Sequence, residues 1–163
     1  MRDENNLFKF KIWTRIIFAI CSAYILCYTF FKQTLQQGFS MSPYINDRSV
    51  VLVNRLYKNV FPIERYDVIV FYTQNGESIK RVYGLPGETV VITNGNLFIN
   101  DVVVENEDLK NSLSSNIEQT VKLGSDEYYV LGDNLDSSKD SRFSDIGNIK
   151  TEDIIGKVWF IFN

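Results

Sequence analysis

Three stretches of the chain carry side chains that could do chemistry together. Ser40 lies in Gly38-Phe39-Ser40-Met41-Ser42-Pro43, where a glycine two positions earlier lets the backbone bend and present the hydroxyl as a nucleophile. Lys80 lies in Ser78-Ile79-Lys80-Arg81-Val82-Tyr83, where strand alternation turns Ile79 and Arg81 one way and Lys80 and Val82 the other. A lysine sharing a face with a β-branched apolar residue can be driven towards its neutral form by burial. The demand is large, since moving an amine from ~10.4 to near 7 disfavours its charge by about 4.6 kcal/mol. The third stretch, Gly132 to Arg142, follows the apolar run Tyr128 to Leu131 and is dense in short polar side chains. It offers a hydroxyl, Ser138, that could position a base. Its Asp133, Asp136 and Asp140 could also be read as a calcium site, but the glycine and terminal glutamate of an EF-hand are missing. Each stretch alone has a plainer reading: a turn, a solvated strand-edge charge and a cross-bonded loop.

Composition narrows what these groups could be. The 163 residues include no histidine, which removes the Ser-His-Asp triad, the Cys-His pair and His-ligated metals, so any hydrolytic chemistry must use another base. No cofactor or metal is implied. Seventeen basic side chains stand against 20 acidic ones, and residues 16–163 alone carry a net −5, so nucleic acid is not an expected partner.

The elements that must position these groups start with an anchor. Ile16 to Phe31 is uncharged, and at ~1.5 Å per residue it falls slightly short of a ~30 Å hydrocarbon core. Extension to residues 12–32, with Arg15 and Lys32 reaching outward, gives a transmembrane helix preceded by a cytoplasmic segment, residues 1–11. Arg2, Lys9, Lys11 and Arg15 precede the uncharged run while, after it, Lys32 is the sole basic residue before Arg48, an asymmetry that keeps the N-terminus cytoplasmic. A cleaved secretory signal is disfavoured, because Tyr28-Thr29-Phe30-Phe31-Lys32 offers no small-residue cleavage site. Both cysteines, Cys21 and Cys27, lie in this segment and read as small apolar residues facing lipid.

Residues 33–163 read as an all-β extracytoplasmic domain. Short β-branched and aromatic runs start at Ser49, Asp67, Ser78, Thr89, Asn96, Val102, Tyr128 and Lys157, punctuated by Asn-Gly, Pro-Gly and Asn-Asp turn signals. The polar stretch Glu107 to Asp126 reads as an excursion or small β subdomain within about residues 96–127, its Ser-Leu-Ser-Ser-Asn portion as loop. Thr151-Glu152-Asp153 suits one capped helical turn.

In order and spacing, the three chemical stretches resemble the sequence boxes of bacterial type I signal peptidases, membrane-anchored serine proteases that remove leader peptides. Ser40-Met41-Ser42-Pro43 resembles the nucleophile box, Arg65 to Val70 a structural box, Lys80 to Glu88 the general-base box and Gly132 to Arg142 the last box. The resemblance runs from the anchor to about Lys157. It implies a Ser40–Lys80 dyad acting through an acyl-enzyme, with Ser138 orienting the amine and the Ser40 backbone N–H serving the oxyanion. It further implies bracing ion pairs from Arg81, Asp133, Asp140 and Arg142, and pocket walls from Met41, Ile45 and Ile79. Precursor proteins with signal peptides are the implied substrates, with pilins an open possibility, and membrane lipid is a partner through Leu35, Phe39, Phe61 and Ile63, the last two equally readable as core. Tyr44, Tyr66 and Glu88 depart from the usual threonine, glycine and aspartate, and Gly38 falls where some members supply a hydroxyl to the oxyanion. These departures suggest a specialised member with a reduced second β subdomain. They also keep alive a non-proteolytic assembly factor for pili or surface proteins. Self-cleaving repressors share a Ser-Lys dyad, but they are soluble and bind DNA, which the anchor and acidic balance oppose.

Overall fold

The structure, a computed structural model, describes residues 2–105, 109, 113 and 117–162, with side chains from Lys9 onward. Helix α1 (Arg2–Phe30) includes one span, Lys9–Phe30, long and apolar enough to cross a membrane and with no part of it buried. Its 22 residues make about 33 Å of helix, enough for the hydrocarbon core. The helix ends at Phe30 rather than Lys32, because Phe31 and Lys32 enter a ladder instead: β1 (Phe31–Leu35) runs antiparallel to β2 (Val50–Asn54), with Phe31 opposite Asn54. The Phe31 ring stacks on Trp159 at 5.0 Å, which fixes the point where helix becomes strand. Cys21 and Cys27 are free and exposed.

The remaining elements are α2 (Tyr57–Val60), β3 (Val68–Thr73), β4 (Gly76–Gly84), β5 (Thr89–Thr93), β6 (Asn96–Ile99), β7 (Val102–Val103), β8 (Gln119–Lys122), β9 (Glu127–Leu131), β10 (Ile149–Lys150) and β11 (Ile154–Phe162). Thr151–Asp153 forms a single 3-10 turn before β11. They build a seven-stranded sheet in the order β1-β2-β11-β3-β4-β9-β10 and a four-stranded sheet in the order β7-β6-β5-β8. The chain is thus mainly β behind one apolar helix. The second sheet takes in β5, so it starts earlier than residue 96. The Ser-Leu-Ser-Ser-Asn portion lies outside the described residues except for Leu113.

Three apolar clusters hold these layers. Val90, Ile92, Leu97 and Ile99 of the small sheet pack with Tyr83, Tyr129 and Leu131 of the large one. Met41, Ile45, Val51, Val53, Val68, Val70 and Ile79 form a second cluster, and Ile63, Ile69, Phe71, Val82 and Val130 a third. The alternation expected of β4 is visible here, since Ile79 and Val82 enter different clusters. Ile63 is buried in the core while Phe61, Leu35 and Phe39 are exposed, so Ile63 is not a surface group available to lipid.

Candidate active site

The nucleophile candidate sits on a turn nailed down from both sides. Ser42 N–H donates to the Phe39 carbonyl at 3.1 Å and Ile45 N–H to the Met41 carbonyl at 2.8 Å. Met41 and Ile45 are fully buried and act as plugs that fix the turn to the core. That burial corrects their expected place as pocket walls: with no accessible surface they support the cleft from beneath, while Ile79 does line it. Gly38 takes φ +80°, the left-handed conformation that glycine adopts without strain, and its N–H donates to Asp47 Oδ1 at 2.7 Å.

Lys80 arrives from β4. Its Nζ lies 2.9 Å from Ser40 Oγ and donates to the Ile79 carbonyl at 2.9 Å. The residue is only 4% exposed. Burial pushes the amine down to about 8, against the pull of Asp140 and Asp133, whose charges favour the ammonium. Desolvation wins because neither carboxylate is spent on Lys80. Asp133 holds Arg81 in a two-point pair, Nε to Oδ1 at 2.7 Å and Nη2 to Oδ2 at 2.6 Å, and Asp140 holds Arg142 Nε at 2.7 Å. Such forked charge-assisted pairs use the carboxylate lone pairs directionally.

The loop from Gly132 to Arg142 links these pairs to the nucleophile. Asp140 Oδ2 accepts the Gly132 N–H at 3.0 Å, and Asn134 N–H donates to the Ser40 carbonyl at 3.0 Å. Gly132 must lack a side chain, because a Cβ there would collide with both Ser138 and the Ser40 carbonyl. Ser138 is therefore beside the site, yet its buried hydroxyl makes no hydrogen bond; the second bond of the Lys80 amine goes to Ile79 instead. Among the described residues no group of three or more acidic, cysteine or histidine side chains is placed to hold a metal ion.

The departures from the resemblance find local explanations. Tyr66 retains a glycine-like φ of +71°, its ring set edge-on to Tyr83 at 5.7 Å. Tyr44 lies under the Arg81 guanidinium, 4.7 Å from ring centre to Cζ, a cation–π contact. Glu88 accepts Arg65 Nη2 at 2.6 Å and the Leu85 N–H at 2.8 Å, so the longer acid still ties the turn after β4.

One neighbour of Ser40 went unread in the sequence. Gln36 is buried, and its Nε2 lies 3.2 Å from the Gly38 carbonyl and 3.4 Å from Ser40 Oγ. The available signal was alternation in β1, which turns Lys32, Thr34 and then Gln36 to one side. It was hidden because Phe31 and Lys32 read as the end of the apolar helix.

A cleft of about 640 Å³ opens at this point, lined by β1, the Gln36–Ser40 segment and β4 from Gly76 to Lys80.

The family model described as signal peptidase, peptidase S26, matches residues 9–163. The chain is 34% identical to Signal peptidase I U of Bacillus subtilis over 94% of this chain and 89% of that one. It is 32% identical to Signal peptidase I P of Bacillus subtilis subsp. natto over 99% and 91%. A crystal structure of a signal peptidase I from Enterococcus faecalis superposes with a TM-score of 0.51 at 30% identity, covering 60% of this chain and 97% of that one.

Proposed function

The chain belongs to the signal peptidase family, peptidase S26, and removes leader peptides from precursor proteins; we propose that Ser40 is its nucleophile and Lys80 its general base. The observation that carries the assignment is the 2.9 Å approach of Lys80 Nζ to Ser40 Oγ on an amine 4% exposed and lowered to about 8. At pH 7 about one amine in ten is then neutral, a cost of ~1.4 kcal/mol. Docking a substrate over the cleft removes more water and lowers the amine further.

Neutral Lys80 takes the hydroxyl proton as Ser40 Oγ bonds to the scissile carbonyl carbon. We assign the Ser40 backbone N–H to the oxygen that becomes negative. Collapse breaks the peptide bond, the new amine leaves with the proton held by Lys80, and an ester to Ser40 remains. Water, deprotonated by the same amine, attacks that ester and frees Ser40. Ser138, buried and without a hydrogen-bond partner, is the hydroxyl we assign to receive an amine N–H when Lys80 turns during these transfers. Arg81–Asp133 and Arg142–Asp140 brace the loop, and keeping those carboxylates engaged keeps the amine unpaired.

The cleft suits an extended leader segment bonded through its main chain beside β4, with alternate side chains turned inward and Ile79 on one wall. We place residues 1–11 in the cytoplasm, the helix beyond them in the membrane and residues 33–163 on the outer face, since Arg2, Lys9, Lys11 and Arg15 precede the uncharged run that begins at Ile16 and only Lys32 closely follows it. Exposed Leu35, Phe39 and Phe61 are then available to the lipid surface where a membrane-delivered substrate arrives. Pilin precursors with such leaders fall within the same substrate class.

The test incubates the full chain in detergent micelles with a panel of precursors, pilins included, beside Ser40→Ala and Lys80→Ala. Each substitution is expected to lower the cleavage rate at least ~10³-fold. Cleavage surviving both would refute the dyad, and binding without cleavage by the parent chain would favour the assembly role.

A further inference from the structure

Position 38 carries no side chain, so any side-chain donor at the reaction centre must come from elsewhere. Besides Lys80, Gln36 reaches it. Its residue is 3% exposed, and its amide faces three oxygens: the carbonyl of Gln37 at 3.4 Å, the carbonyl of Gly38 at 3.2 Å and Ser40 Oγ at 3.4 Å. Two of these are carbonyls, which only accept, so the atom turned towards them is the NH2 and not the amide oxygen. An NH2 has two protons. One is used on the loop carbonyls and the other points at the hydroxyl. The backbone of Gln36 is itself fixed, its N–H donating to the Ser49 carbonyl at 2.9 Å and its carbonyl accepting the Arg48 N–H at 3.0 Å. The donor is therefore preorganised rather than recruited.

We propose that the Gln36 side-chain amide is a catalytic hydrogen-bond donor of the Ser40 reaction centre, supplying to the developing oxyanion the proton that glycine at position 38 cannot. In the resting site it occupies an acceptor lobe of Ser40 Oγ, which leaves the hydroxyl proton free to point at Lys80, 2.9 Å away on the same oxygen. The 3.4 Å spacing is long for a ground-state bond. During attack, negative charge gathers on the carbonyl oxygen, two bonds from Oγ through the carbon under attack, and a donor beside Oγ gains most when that charge is present. Stabilisation that strengthens only in the transition state raises kcat rather than lowering KM. A buried amide spends no solvent reorganisation in doing so. The inference rests on Ser40 being the nucleophile, and its test separates the two.

Gln36→Met and Gln36→Leu keep roughly the size of the side chain and remove the donor. The full-length variants, in micelles, are assayed on a precursor and on a peptide spanning its cleavage site. Inhibition by a peptide aldehyde, whose adduct with Ser40 carries the oxyanion, is measured in parallel with binding of the product peptide, which has none. Both variants should lose roughly 10²-fold in kcat with KM and product affinity within about threefold, and aldehyde affinity should fall in step with kcat. Variants that retain kcat within about threefold of the parent would overturn the inference, as would a loss of product affinity equal to that of the aldehyde, the mark of a glutamine that only holds the loop. Ser40→Ala and Lys80→Ala run beside them: if these are inactive while the Gln36 variants are normal, the donor role alone fails, and if these cleave, the dyad fails as well.

Discussion

Two lysines stand in one cross-strand row of the large sheet. Lys157 on β11 lies opposite Ile69 on β3, and Ile69 lies opposite Lys80 on β4. Both amines lose water on folding, yet they are driven in opposite directions. Around Lys157, burial lowers the amine, but the Asp67 carboxylate at 2.5 Å and the Tyr57 hydroxyl at 3.4 Å outweigh it and hold the group above its ordinary value. Around Lys80 burial prevails and lowers the amine to about 8, because its close contacts are the neutral Ser40 hydroxyl and the Ile79 carbonyl. The nearby carboxylates could have reversed this. Asp133 and Asp140 are instead committed to Arg81 and Arg142. Burial makes a base only where the surrounding carboxylates already have partners.

The comparison predicts that Lys→Met substitutions at the two positions change stability with opposite sign. A lysine lowered from 10.5 to about 8 destabilises the fold at every pH below about 8, and the penalty disappears as pH rises from there to 10.5, where the unfolded chain still binds the proton. Lys80→Met should therefore stabilise the fold at pH 7 by about 3 kcal/mol, with the gain vanishing across that window. Lys157, raised on folding, contributes stability present below its unfolded value and lost only as pH climbs through its higher folded one. Lys157→Met leaves the buried Asp67 unpaired and should cost about 1–2 kcal/mol at pH 7, discounted for the partial exposure of the amine. Urea unfolding of the two variants at pH 7 and 10 decides this; two losses at pH 7 would break the comparison.

A smaller effect comes from giving Lys80 the kind of neighbour Lys157 has. Gln36→Glu sets a carboxylate where the amide meets Ser40 Oγ, adding to the upward pull of Asp140 and Asp133. Loss of the amide donor should lower the plateau rate roughly 10²-fold, as in Gln36→Met, and on top of that the acid limb of the pH–rate profile should move up by about one unit, the smaller effect and the one this variant is read for. A limb that stays in place would show that the amine does not respond to nearby charge.

Much of this was legible in the sequence. The β-branched runs corresponded to β2–β7, β9 and β11, and Ser40 and Lys80 were picked out by the order and spacing of the boxes they resemble, since each stretch alone reads as a turn or a strand-edge charge. What stayed hidden has local physical causes. β1 begins inside an apolar run whose periodicity belongs to the helix, so Phe31, Lys32 and with them Gln36 were assigned to the wrong element or passed over. β8 and β10 are short, and Gln119-Thr120-Val121-Lys122 carries too little apolar signal to announce a strand. Met41 and Ile45 were expected as pocket walls from the resemblance, whereas the turn drives both into the core. Ion pairs among Arg81, Asp133, Asp140 and Arg142 were expected, but which acid takes which arginine follows from loop geometry that residue types alone do not fix.

The most direct test is to titrate the Lys80 amine itself, by NMR of the full chain in micelles with lysine isotopically labelled at Cε and Nζ and Lys80→Arg used for assignment. The account predicts a midpoint near 8 for Lys80 while Lys157 titrates above 10.5. A Lys80 midpoint at 10.5, level with a solvent-exposed lysine, would contradict it.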